Sequence, residues 1–189
     1  MIASALESIE GFRDKWPFAA RYARVNGWRM HYVDEGAGDP ILLLHGNPTW
    51  GYLYRDVIPP LVSAGYRVIV PDMIGFGLSE KPAREQAHSL DAHIANLTGL
   101  LRQLDLQRLT VVCHDWGGPT GLGFAMSNPA RVRALTVMST WAWPTPSSVF
   151  SSLKLTNASP YEPDPNRIPQ LHPKHPKNDA VMPVGKVSL

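Results

Sequence analysis

Four short segments rich in apolar residues constrain the fold more than any other feature of this chain. They are Ile41–Leu44, Tyr66–Val70, Leu109–Cys113 and Val132–Met138, and the first three lack the alternation of polar and apolar residues that marks a half-exposed strand. Strands of this kind are buried on both faces, as in a parallel sheet that helices cover on each side. We therefore predict an α/β fold with a mostly parallel sheet flanked by helices.

Helical patterns lie between these strands. Apolar side chains recur at steps of three or four residues from Leu90 to Leu104, and Ser89 stands where a helix cap is expected. A second helix is predicted at about residues 117–128, where Asn128-Pro129 would end it. A half-buried strand is predicted earlier, at residues 28–34. Strands that alternate with helices indicate an α/β fold with right-handed crossovers.

Charge and composition argue against several classes of function. The net charge is only +2 and the basic residues are scattered, so no nucleic-acid partner is expected. No apolar run approaches the ~20 residues that cross a bilayer, so we expect no membrane partner and a cytoplasmic protein. Cys113 is the single cysteine and no Cys/His cluster has zinc-like spacing, which predicts neither a disulfide nor a metal site. Gly75-x-Gly77 follows a strand, but Glu80 would repel a pyrophosphate, and no cofactor is predicted.

The segment after the third apolar run has the pattern of a nucleophile elbow, a sharp turn from a strand into a helix. Small residues must flank the nucleophile in such a turn, and Cys113 and Gly117 occupy the flanking positions. The central residue is Asp115. A carboxylate needs no base before it attacks, and it can displace a leaving group from saturated carbon to form an ester. The elbow therefore indicates alkyl transfer.

Three motifs at strand ends resemble those of the haloalkane dehalogenases, a family of the α/β-hydrolase superfamily. They are His45–Thr49, Gly75–Pro82 and His114–Gly118, within a match that covers roughly residues 20–146. The resemblance implies an α/β-hydrolase core and a small halogenated alkane as substrate. It also implies a link from the core to a helical cap at Trp141–Pro144.

The resemblance assigns roles to three residues. Asp115 would be the nucleophile. Asn47 and Trp116 would donate side-chain N–H bonds to the departing halide, and their backbone N–H groups would form the oxyanion hole when water attacks the ester.

The C-terminal part departs from the family pattern. Residues 151–189 contain seven of the 18 prolines and no apolar periodicity, so we assign residues 1–146 to the core and 147–189 to the remnant of a cap or an irregular tail. The family's late histidine, which activates water, and its orienting acid have no match, and Ser139 stands at one position for that acid. We therefore expect impaired turnover, and an open sheet edge beyond Met138 that favours association.

Two alternatives to a dehalogenase remain. Epoxide hydrolases also use an Asp nucleophile beside a tryptophan, but they usually carry an apolar aromatic residue where this chain has Asn47, and an amide N–H suits a halide. The other alternative is a non-catalytic fragment, or a chain that needs a partner to complete its sheet.

Overall fold

The computed structural model describes residues 12–141. The predictions for residues 147–189, and for the cap link beyond Trp141, lie outside this range. Three short 3-10 helices accompany the helices and strands, at Gly51–Tyr54, Glu85–His88 and Pro129–Arg131. In chain order the elements are α1 (Phe12–Lys15), β1 (Arg21–Val25), β2 (Trp28–Glu35), β3 (Pro40–Leu44), α2 (Ile58–Ser63), β4 (Arg67–Pro71), α3 (Leu90–Gln103), β5 (Leu109–His114), α4 (Gly117–Ser127) and β6 (Val132–Met138).

The described strands form one sheet in the order β1-β2-β4-β3-β5-β6. Strand β2 runs antiparallel to both of its neighbours, and the pairs among β3, β4, β5 and β6 are parallel. The predicted α/β fold with a mostly parallel sheet is confirmed. Leu44 is paired with Cys113, so the carboxyl ends of β3 and β5 lie side by side. Ligands of open α/β sheets bind at such ends.

The continuous apolar run of β3 is buried on both faces, as predicted. Leu42 and Leu44 pack with Leu101 and Phe124, which belong to α3 and α4. Ile41 and Leu43 point to the other face and share a second cluster with Ile58 of α2, among others. The sheet is therefore the middle layer of three, and its two faces bury separate clusters.

Strand β6 is less buried than the other three parallel strands. It lies at the edge of the described sheet, and Val137 and Met138 are 49% and 38% exposed. Its inward-facing Leu135 is buried at 5% exposure. Within residues 12–141, no further strand lies beside β6, and the open edge beyond Met138 stays a prediction because the residues that follow lie outside the described range.

Candidate active site

Asp115 lies at the turn between β5 and α4, and its backbone has a positive φ of 50°. This left-handed conformation is uncommon for a residue with a side chain and is found where the surroundings enforce it. The next turn is crowded as well, since a Cβ on Gly117 would lie 2.3 Å from the carbonyl oxygen of Leu44. Only glycine fits there, which accounts for the small residue that the elbow pattern requires.

A second glycine lets the loop after β3 approach the elbow. A Cβ on Gly46 would lie 2.3 Å from Cβ of Asp115 and 2.5 Å from its Oδ1. The backbone of the β3 loop therefore comes into direct contact with the Asp115 side chain. This approach brings the N–H of Asn47 to the carboxylate.

One carboxylate oxygen of Asp115 is held by two backbone donors. Oδ1 accepts hydrogen bonds from the N–H groups of Asn47 at 2.9 Å and Trp116 at 2.7 Å. Within residues 12–141, no donor bonds to the other oxygen, Oδ2. Thr140 Oγ1 donates to the Asp115 backbone carbonyl at 2.5 Å, which anchors the elbow to the segment after β6. The carboxylate is thus oriented with one oxygen engaged and the other without a protein donor in the described part of the chain.

A cavity of about 150 Å³ lies beside the elbow. Its walls include both residues that the resemblance assigns to halide binding, and it is lined by Asn47, Met73, Phe76, His88, His93, Trp116 and Thr120. The three residues singled out from the sequence are therefore brought together. Asp115 bonds to the backbone of Asn47 and Trp116, and both of these residues line one small cavity.

His45 is a buried structural residue beside this site. Its Nδ1 donates to the carbonyl of Gly46 at 2.9 Å, and its Nε2 accepts from the N–H of Met73 at 3.0 Å. Both ring nitrogens are therefore used, and the neutral form is the one that satisfies both bonds. Burial lowers the pKa of His45 from its ordinary value, outweighing the opposing effects of the Gly46 hydrogen bond and of Asp72.

Asp72 supports the loop that forms one wall of the cavity, a role that the sequence did not reveal. Its carboxylate is fully buried and accepts three hydrogen bonds, from Nδ1 of His31 at 2.9 Å, from N–H of Gly51 at 2.8 Å and from N–H of Leu78 at 2.7 Å. The Ser79 hydroxyl donates to its backbone carbonyl at 2.6 Å. These bonds tie the loop after β4 to β2 and to the 3-10 helix at Gly51–Tyr54.

His88 and His93 are lining residues that sequence reasoning also missed. His88 lies at the end of a 3-10 helix, and His93 lies in the first turn of α3. The spacing of apolar residues in α3 indicated an amphipathic helix. This spacing does not predict which cavity the first turn of the helix borders. The available signal was the position of both residues just after the Gly75–Pro82 motif.

The described residues include neither a metal-binding cluster nor a membrane-spanning helix. Residues 12–141 contain no group of three His, Cys, Asp or Glu side chains placed to hold a metal ion. No helix in the same range is long and apolar enough to cross a membrane.

The mixed sheet in this strand order, with a carboxylate at the strand-to-helix elbow after β5, defines an α/β enzyme core of the hydrolase type. The chain belongs to the alpha/beta hydrolase fold family, whose model matches residues 39–177.

Haloalkane dehalogenases are among the similar proteins of known sequence. Haloalkane dehalogenase 2 of Mycobacterium tuberculosis is 39% identical over 145 residues, which cover 77% of this chain and 50% of that protein. The chain spans about half the length of such curated relatives. The resemblance read from the three motifs is confirmed for this N-terminal portion.

Solved structures give two kinds of neighbour. A haloalkane dehalogenase of Paraglaciecola agarilytica NO2, described as tetrameric, has a TM-score of 0.64 and 38% identity, covering 68% of this chain and 47% of that one. An epoxide hydrolase of Vigna radiata has a TM-score of 0.66 and 30% identity, covering 70% of this chain and 43% of the other. Both are hydrolases, so the fold alone does not separate these two reactions.

Proposed function

We propose that this chain carries the alkylation site of a haloalkane dehalogenase-like hydrolase, with Asp115 as the nucleophile. One observation carries the proposal: Oδ1 of Asp115 is held by the backbone N–H groups of Asn47 and Trp116, and both of these residues line the adjacent cavity. The substrate class is a small halogenated alkane.

The first step forms an ester. Oδ2 of Asp115 attacks the carbon that bears the halogen, the carbon–oxygen bond forms as the carbon–halogen bond breaks, and the halide leaves with the bonding electron pair. The side-chain N–H groups of Asn47 and Trp116 stabilise the charge that develops on the halide. No proton moves in this step, so no base is needed.

The second step is hydrolysis of the ester. Water attacks the carboxyl carbon, and negative charge develops on Oδ1, which already accepts the N–H bonds of Asn47 and Trp116. A base must take the proton of that water. Among residues 12–141, no histidine is hydrogen-bonded to Asp115, so we expect the 189-residue chain to form the ester and to release it slowly.

Intact-protein mass spectrometry tests this proposal. Incubation with 1-bromobutane should add the mass of one butyl group, map it to Asp115 and release at most one bromide per chain. Asp115→Asn should give no adduct, whereas Asp91→Asn, which changes an exposed carboxylate on α3, should react like the parent chain. Continuous bromide release by Asp115→Asn would show that another group is the nucleophile.

An epoxide hydrolase is the second candidate, supported by the Vigna radiata structure. The same carboxylate could open an epoxide, but the ring oxygen then needs a proton donor. The amide of Asn47 in the cavity wall favours a halide instead. Incubation with styrene oxide in place of 1-bromobutane separates the two candidates. A protein adduct with styrene oxide, and none with 1-bromobutane, would favour an epoxide hydrolase.

A further inference from the structure

His93 is a buried polar residue with an unused ring nitrogen at the candidate site. Its side chain lines the cavity beside Asn47 and Trp116, and the residue is only 7% exposed. Its Nδ1 is buried and has no hydrogen-bond partner among residues 12–141. A buried polar atom without a partner is costly, and such atoms in native structures are satisfied by water, an ion or a ligand.

The polar lining of the cavity suits an anion. The lining side chains include an amide, an indole, a hydroxyl and two imidazoles, and none of them is a carboxylate. The hydroxyl of Thr120 already donates to the carbonyl of Trp116 at 3.0 Å. The ring of His88 bonds through Nε2 to the carbonyl of Pro82, so that nitrogen donates away from the cavity. Among the lining side chains in the described part of the chain, Nδ1 of His93 is the buried ring nitrogen without a hydrogen-bond partner.

The electrostatic surroundings of His93 keep it neutral in the unliganded cavity. Burial is the main cause, and the neighbouring imidazoles of His88 and His45 add to it, so that the pKa of His93 falls to about 4. His45 is committed to the neutral form by its two hydrogen bonds. Asp91 in the first turn of the same helix is exposed, and the Oδ1 of Asp115 is held by the backbone N–H groups of Asn47 and Trp116, two residues of the lining.

We propose that His93 is a third ligand of the halide, together with Asn47 and Trp116, and that its ring gains a proton when the anion binds. This inference deepens the proposed function and rests on it for the identity of the anion. An imidazolium donates a charge-assisted hydrogen bond to the anion, and a negative charge nearby favours the protonated ring. The halide would then leave together with the proton of His93, so raising the pH would speed its release.

The inference predicts a pH-dependent affinity for halide. If anion binding takes up one proton, the dissociation constant rises by up to tenfold per pH unit, from the pKa of the free His93 ring to its pKa in the complex. Above the pKa of His93 in the complex, the affinity for halide no longer changes with pH. The carboxylate of Asp115 is hydrogen-bonded to the backbone of Asn47 and Trp116, so the test includes a variant that lacks this charge.

Bromide binding to the whole chain provides the measurement. Calorimetric titration with sodium bromide at about pH 5 and about pH 7, in buffers with different ionisation enthalpies, gives the dissociation constant and the protons taken up. The Asp115→Asn variant should keep both the pH slope and the proton uptake. Asp91→Asn, a change at an exposed carboxylate in the first turn of the same helix, should also keep them.

Two variants of His93 separate its roles as a ligand and as a proton acceptor. His93→Gln keeps an N–H donor but cannot titrate, so we expect bromide to bind with no proton uptake and no pH slope. His93→Phe removes the donor as well, and we expect at least fivefold weaker binding at about pH 5. Circular dichroism checks that each variant is folded.

The results that overturn the inference are distinct from those that overturn the proposed function. Absence of bromide binding, or an unchanged pH slope in His93→Gln, would refute the role of His93 even if Asp115 is alkylated by 1-bromobutane. Conversely, bromide binding that depends on His93 in a chain that forms no adduct would support the anion site and refute the alkylation reaction.

Discussion

Replacement of Asp72 by alanine should destabilise the fold by a large, calculable amount. The change leaves three buried donors without an acceptor: the ring N–H of His31 and the backbone N–H groups of Gly51 and Leu78. Each buried donor that loses its partner costs about 1–3 kcal/mol, so about 3 kcal/mol is a lower bound. Since domains are stable by only about 5–15 kcal/mol, the loss is a major fraction of the total.

Equilibrium unfolding in urea measures this loss. With a slope of about 1–3 kcal/mol/M, the midpoint should fall by at least about 1 M. Glu80→Ala is the matched control, because it removes an exposed carboxylate of the same loop that accepts one bond, from the N–H of Arg29 at 2.9 Å. Its effect should stay within about 0.5 kcal/mol. Equal midpoints for Asp72→Ala and the parent chain would refute the claim that this carboxylate holds the loop.

Three further predictions follow from the site. Gly46→Ala places a Cβ 2.3 Å from Cβ of Asp115, and we expect at least tenfold slower adduct formation by mass spectrometry; an unchanged rate would mean that the contact relaxes freely. Tyr54→Phe removes the hydroxyl that donates to the carbonyl of Leu44 at 2.8 Å. A urea melt should show a free energy of unfolding that is lower by about 1 kcal/mol, and an unchanged free energy would contradict this prediction. His93 has a pKa of about 4 when folded and about 6.5 when unfolded, so the unfolded state binds more protons between these values and stability should fall as the pH is lowered through them. Urea midpoints at several pH values should show a smaller slope for His93→Gln, and an identical slope would contradict the burial of this ring.

The strands that were predicted from sequence are those whose burial leaves a local signal. The bounds of β3, β4 and β5 agree with the apolar runs to within one residue, because burial on both faces favours apolar residues at consecutive positions. By contrast, β1 has the polar sequence RYARV and three of its five residues are exposed, so no pattern marked it. The sequence did not predict helix α2 because Pro59 and Pro60 usually interrupt a helix. In the structure they lie in its first turn, where a missing backbone N–H is tolerated.

Part of the candidate site could also be predicted, because it depends on a local sequence pattern. The elbow depends on residues adjacent in sequence, and small side chains around Asp115 were sufficient to predict it. The roles of Asp72 and His93 depend on contacts with residues far along the chain, such as the bond from His31, which is 41 positions away. Nothing in the local sequence distinguishes an aspartate that caps a turn from one that ties three segments together.

The two oxygens of the Asp115 carboxylate are equivalent in free aspartate, but the fold makes them unequal. Oδ1 is fixed by the N–H groups of Asn47 and Trp116, which leaves Oδ2 to become the ester oxygen in the proposed reaction. Attack of water or added hydroxide at the carboxyl carbon would then release Oδ2 with the alcohol and leave a solvent oxygen in its place. In heavy-oxygen water, a single cycle would label the protein and leave the alcohol unlabelled. The isotopic composition of the Asp115 carboxylate would therefore show whether a given molecule has reacted.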